Sequence, residues 1–152
     1  MIKKFLFAFI LISIGFSAQG QYITELPGTD YKYRILHMAD DYAGKVVSTL
    51  VKREPVSKDG PAILYVHGYN DYFFQRALGD SAATHGYNFY ALDLRKYGRS
   101  ILPDQDAFFA KNLSEYFADL DTAIAIIKAE GNRDIVLMAH STGGLITPLY
   151  LQ

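Results

Sequence analysis

One serine is better placed for chemistry than any other side chain in this sequence. Ser141 stands in the run Ala139-His140-Ser141-Thr142-Gly143-Gly144, directly after the apolar stretch Ile135-Val136-Leu137-Met138. That stretch reads as a strand buried on both faces, and Leu145 onward reads as the start of a helix. A strand, a sharp turn with a central serine and a helix make a nucleophile elbow, written G-x-S-x-G, which raises a hydroxyl for attack on a carbonyl carbon. The turn is strained and its flanks pack on neighbouring backbone, so small residues are needed beside the serine; Ala139 in the place of the first glycine adds one methyl. Acyl transfer also needs a base for the hydroxyl proton and two N–H donors for the developing oxyanion. His140 adjoins the serine, but neighbouring strand residues point to opposite faces, so it is poorly placed to be that base.

The remaining chemistry-bearing residues also follow apolar strands. Residues 62–66 form a continuous apolar run ending at His67-Gly68-Tyr69-Asn70, and residues 88–92 form another ending at Asp93. Between them, Phe74, Leu78, Ala82 and His85 recur at helical spacing over residues 71–85, with Gly86 as the terminating glycine. A second helix is predicted over 113–130, where Tyr116, Leu120, Ala123 and Ile127 share a face that Phe117 and Ile124 widen; Asn112 with Glu115 reads as its N-cap pair, and Gly131-Asn132 as its stop. Strand, helix, strand, helix, strand at this spacing means two right-handed crossovers and a parallel sheet with helices on both faces. Residues 31–38 and 46–53 read as an antiparallel pair at the sheet edge, and residues 22–30 as an irregular lead-in. Ligands of such sheets gather at the carboxyl ends of the strands, where His67-Gly68, Asp93 and Ser141 all fall.

These motifs, in this order, resemble the α/β-hydrolase superfamily. The likeness is greatest to the branch of monoacylglycerol lipases, lysophospholipases and serine aminopeptidases of the S33 type. The resemblance implies an α/β fold with a mostly parallel sheet, Ser141 as nucleophile, and the backbone N–H groups of Tyr69 and Thr142 as the oxyanion hole. His67, Gly68 and Gly143 would be supporting residues, the imidazole of His67 bonding loop backbone only. The segment Asp93-Leu94-Arg95-Lys96-Tyr97-Gly98-Arg99-Ser100 resembles the family's D-x-x-G-x-G-x-S loop; Lys96 stands where glycine is usual, so a differently set loop is expected. Asp93 is expected to be a structural turn residue, since the family's triad acid comes later. In this superfamily the acid and histidine follow the serine. The eleven residues after Ser141 include no Asp, Glu or His, so the expectation is the N-terminal half of a hydrolase, cut after the elbow and inactive by itself.

Composition narrows the rest. Half the residues are apolar or aromatic, and 15 basic residues face 16 acidic ones, which suits a globular core and argues against a nucleic-acid partner. Without cysteine there is no disulfide, thiolate metal site or cysteine nucleophile. No zinc-type histidine spacing and no Walker or dinucleotide glycine loop occurs, so neither metal nor cofactor is expected. Lys3 and Lys4 precede an apolar run over residues 5–16, too short to span a bilayer, followed by Ser17-Ala18-Gln19-Gly20. Residues 1–20 read as a secretory signal peptide and residues 21–152 as the hydrolase part, secreted or periplasmic and without a stable transmembrane anchor. The expected substrate is a small ester or lipid. Peptide or acyl-transfer chemistry, or a non-catalytic remnant binding a small apolar ligand or a partner, are the alternatives. Asn112-Leu113-Ser114 is both a glycosylation acceptor and a helix cap, and nothing in the sequence sets the oligomeric state.

Overall fold

The computed structural model describes residues 21–24, 29–54, 57 and 59–152. The signal-peptide reading of residues 1–20 falls outside them. Six strands form one sheet: β1 Ile23–Thr24, β2 Tyr31–His37, β3 Val47–Arg53, β4 Ala62–Val66, β5 Asn88–Asp93 and β6 Ile135–Ala139, in the order β1-β2-β3-β5-β4-β6. β5, β4 and β6 are parallel, while β1, β2 and β3 pair antiparallel and β3 joins β5 antiparallel. The sheet is therefore mixed, its parallel half ending at His67, Asp93 and Ser141 and its antiparallel half extending the edge. The sequence anticipates the β2–β3 pair but not the two-residue β1, which forms within the expected irregular lead-in.

Alternation along the strands explains why helices cover both faces. Ala62, Leu64, Val66, Tyr90 and Leu92 point to one side, where they pack with Leu120, Ala123, Ile126 and Ile127 of α2 (Phe117–Ala129) and Ile146 of α3 (Gly143–Tyr150). Ile63, Tyr65, Phe89 and Ala91 point to the other, against Phe73 and Ala82 of the segment containing α1 (Arg76–Thr84). The first crossover runs from β4 to β5 over the α1 face. The second runs from β5 back past β4 to β6 over the α2 face, and one shared hand requires that pairing of direction with face. β4 is thus the switch point, and the crevice at its carboxyl end is where such sheets bind ligands.

Two helices begin later than the spacing suggests. α1 starts at Arg76 rather than near residue 71 because Phe73, not Phe74, enters the core, and its N–H is taken by Asp93 Oδ1 at 2.9 Å. A 3₁₀ turn, Leu113–Tyr116, leads into α2. Its capping box matches the expectation: Asn112 Oδ1 accepts the Ser114 N–H at 2.8 Å and Glu115 Oε1 accepts the Asn112 N–H at 3.2 Å, so the cap accounts for this asparagine.

β6 departs from the expectation of a strand buried on both faces. It is the outermost strand beside β4, only half-buried, with Val136 49% exposed. No described strand pairs with its far side.

A buried ion pair ties α2 to the loop after β5. Arg95 donates through Nη2 to Asp119 Oδ1 at 2.7 Å and through its main-chain N–H to Oδ2 at 3.0 Å, and Asp119 is wholly buried in the first turn of α2. Removing one member leaves the other charged and dry. Asp119→Ala should lower unfolding free energy by about 3–5 kcal/mol, measured by urea denaturation. A loss below about 1 kcal/mol would mean that water reaches the pair.

Candidate active site

Adjacent parallel strands bring the marked residues together. Val66 of β4 is in register with Ala139 of β6, and the Val66 carbonyl accepts the His140 N–H at 3.0 Å, so both strands end side by side. The chain then turns tightly, with the Gly143 N–H donating to the His140 carbonyl at 2.9 Å. Ser141 takes a φ of +51° and Thr142 a φ of −58°, the signs of a type II′ turn, and α3 begins at once. A positive φ on a serine stores about 1–3 kcal/mol and survives only where the surroundings over-determine it. Here they do. A Cβ on Gly143 would lie 2.5 Å from the Val66 carbonyl oxygen and 2.6 Å from that of His67, so the helix start rests on the backbone of β4. A Cβ on Gly68 would stand 3.0 Å from Ser141 Cβ, so only glycine lets the β4 loop pass this close to the serine.

The expected oxyanion donors occupy the two sides of this turn. Tyr69 follows Gly68 and Thr142 follows Ser141, and neither backbone N–H is taken by an acceptor among the described residues. His67 behaves as its sequence context suggests. Its buried ring bonds the Gly68 carbonyl through Nδ1 at 2.7 Å and accepts the Leu94 N–H at Nε2 at 3.1 Å, which assigns the proton to Nδ1. The ring thereby links the loops after β4 and β5, and the Tyr97 ring packs against it at 4.8 Å between centroids.

Burial lowers the pKa of His67 below its ordinary 6.5, outweighing the backbone hydrogen bond to Gly68 that raises it. Protonation at Nε2 would also set a second N–H against that of Leu94. The unfolded chain therefore binds the proton more readily than the folded one. His67 thus contributes a loss of stability as pH drops below about 6.5, opposed by buried Asp93, whose raised carboxyl pKa acts the other way. The stability difference between wild type and His67→Asn, read from urea midpoints between pH 7.5 and about 5.5, should shift against the wild type as pH falls; a difference independent of pH would mean that His67 does not titrate there.

Asp93 is a structural residue, as expected. Oδ1 accepts from the Phe73 N–H, and Oδ2 accepts from Arg99 Nη1 at 2.8 Å and from the Arg99 N–H at 3.3 Å. Burial pushes its carboxyl pKa upward, and the backbone N–H groups of Phe73 and Arg99 oppose this. Arg99 Nη1 also donates to the Phe73 carbonyl at 3.0 Å, so Asp93 and Arg99 together pin the loop that carries Tyr69. The sequence gives no role to Arg99; its position in an otherwise turn-like loop next to a strand-end aspartate is the signal that could have found it.

Lys96 takes a left-handed φ of +63°, a backbone conformation that favours glycine. Its ammonium compensates for that conformation by a 2.7 Å ion pair to Asp41 Oδ2, packed 4.5 Å over the Tyr42 ring with the side chain 2% exposed.

Among the described residues no side chain is placed to act as a base for the serine. His140 is two-thirds exposed and its Nδ1 lies 3.9 Å from Asp71 Oδ2, beyond hydrogen-bond reach, and no hydrogen bond joins it to Ser141. His85 caps the end of α1 through the Ser81 carbonyl, and His37 closes β2, both away from the turn. Among the described residues no group of three or more His, Asp or Glu side chains could hold a metal ion.

Comparison with known proteins agrees with this geometry. The family model for serine aminopeptidase, S33, matches residues 58–152. No curated protein matches the chain. Solved structures that superpose on it include a probable hydrolytic enzyme from Pseudomonas aeruginosa PAO1, with 20% identity, a TM-score of 0.62, and coverage of 80% of this chain and 37% of that one. The ferulic acid complex of Est1E from Butyrivibrio proteoclasticus has 18% identity and a TM-score of 0.61, over 76% of this chain and 46% of that one. A cold-adapted esterase from an Arctic intertidal metagenomic library has 18% identity and a TM-score of 0.58, over 84% and 57%. The chain thus spans less than two thirds of each of these structures. The fold is of the α/β-hydrolase type, and the chain belongs to the serine aminopeptidase S33 family of hydrolases.

Proposed function

We propose that this chain carries the nucleophile and oxyanion hole of a serine hydrolase that cleaves carboxylic esters bearing an apolar, lipid-like group. One observation carries the reading: Ser141 is held at a positive φ beside Gly68-Tyr69 and Thr142, and the backbone N–H groups of Tyr69 and Thr142 meet no acceptor among the described residues. In the reaction, Ser141 Oγ bonds to the ester carbonyl carbon as its proton passes to a general base. The carbonyl oxygen becomes an oxyanion facing the two N–H groups, and the C–O bond to the alcohol breaks as the alcohol takes up the proton. Water then attacks the acyl-serine by the same route. Donors preset for the charged intermediate are worth about 2.7–4 kcal/mol each at such sites.

The triad acid and histidine belong, on this reading, to the further length that the related structures have, so residues 21–152 alone are inactive. Lys3, Lys4 and the apolar run direct export, to a secreted or periplasmic protein beginning near Gln21. The esterase among the structural relatives favours esters over peptides or acyl transfer. The complete protein should hydrolyse p-nitrophenyl esters with a preference for medium acyl chains over acetate, and should release fatty acid from a lysophospholipid or monoacylglycerol. Faster cleavage of aminoacyl p-nitroanilides than of any ester would overturn the ester reading. A second reading, a non-catalytic binding module, draws on the 3.9 Å gap between His140 and Asp71; it predicts no turnover of any ester by the complete protein.

A further inference from the structure

Phe108 holds a backbone conformation that phenylalanine seldom adopts, with φ at +64°. Two hydrogen bonds fix it there: its N–H donates to the Lys96 carbonyl at 3.0 Å, and its carbonyl accepts from the Tyr97 hydroxyl at 3.5 Å. The effect is to set its ring between two others. The buried Tyr97 ring lies 5.2 Å away and the Tyr69 ring 5.7 Å away at an interplanar angle of 60°. Tyr97 in turn packs on His67, so the rings form a continuous row from the buried loop staple to the surface. The row ends at Tyr69, whose ring is 64% exposed and whose main chain follows Gly68, the closest approach of this loop to Ser141. Phe108 is half-buried against the core that contains Tyr97, and its other side supports the exposed ring of Tyr69.

We propose that Tyr69 and Phe108 form a subsite for a planar aromatic group of the ester, adjoining the scissile bond; this rests on the hydrolase reading of Ser141. Tilted and edge-on packing is how aromatic rings prefer to meet, and an aryl group set against Tyr69 extends the row by one member. A flexible alkyl chain of equal size gains the burial but not the ring–ring term, and it loses more rotamer freedom on binding.

Two measurements on the complete protein separate this from the parent reading. The first needs no turnover: dissociation constants for 3-phenylpropionate and hexanoate, carboxylates of equal charge, measured by NMR titration. The aryl acid should bind about fivefold more tightly, and that preference should disappear in Phe108→Ala. Phe108→Leu, which keeps apolar bulk without a ring, should behave alike if the alanine variant does not fold. The second is the ratio of kcat/KM for methyl 3-phenylpropionate to that for methyl hexanoate, which should drop by about the same factor through KM. Absence of any ester turnover with the binding preference intact would refute the hydrolase reading and leave the aromatic subsite standing. Equal affinities for the two acids, or a preference that survives both substitutions, would overturn the subsite even in an active hydrolase.

Discussion

Gly143→Ala is expected to disable the site although it adds one methyl group. The Cβ would stand 2.5 Å from the Val66 carbonyl oxygen and 2.6 Å from that of His67, both fixed main-chain atoms of β4 and its exit. Neither can rotate away, so α3 must shift outward and take the serine turn with it. Overpacking of this kind costs about 1–3 kcal/mol of stability. A displacement near 1 Å at a nucleophile costs about 100-fold in rate. Gly144→Ala is the matched control: no atom lies within 4 Å of its Cβ, and a helix favours alanine over glycine, so its stability should be equal or slightly higher. Urea denaturation and ester turnover of the two variants check this. Equal behaviour of both would mean that α3 does not rest on the β4 backbone.

Ser141 should show opposite effects on stability and activity. Ser141→Ala removes the proposed nucleophile and keeps the strained φ of +51°, so turnover should fall by about 10⁴-fold or more with stability nearly unchanged. Ser141→Gly removes the hydroxyl and the strain together. It should be just as inactive but more stable by about 1 kcal/mol, since glycine meets no Cβ penalty at that angle. A site whose residue destabilises the fold while enabling the chemistry is the usual trade between stability and function. If Ser141→Gly were less stable than wild type, the turn would not be strained at the serine.

The reach of the sequence differs between the two halves of the problem. Apolar runs at 62–66, 88–92 and 135–138 are bounded by turn residues, so the three parallel strands and their order along the chain are legible, and so is the capping box at Asn112 and Glu115. The close approaches of Gly68 and Gly143 beside Ser141 are legible too, because they demand small side chains. What the sequence does not show depends on partners far away along the chain. Lys96 reads as a departure from a glycine position because Asp41, which holds it there, is remote in sequence. Phe73 rather than Phe74 enters the core because Asp93 fixes its N–H, a contact no helical periodicity contains. β6 reads as apolar on both faces, and in this chain its far side meets no described strand, so it is only half-buried.

Reaction with a fluorophosphonate, followed by peptide mapping, tests most directly the claim that Ser141 is an activated nucleophile beside an oxyanion hole. The complete protein should carry one phosphonyl adduct, on the peptide containing Ser141, and Ser141→Ala should carry none. Residues 21–152 expressed alone should react far more slowly, since no base is oriented toward the hydroxyl. An adduct on a different serine, or an intact and folded complete protein that stays unmodified, would contradict the account.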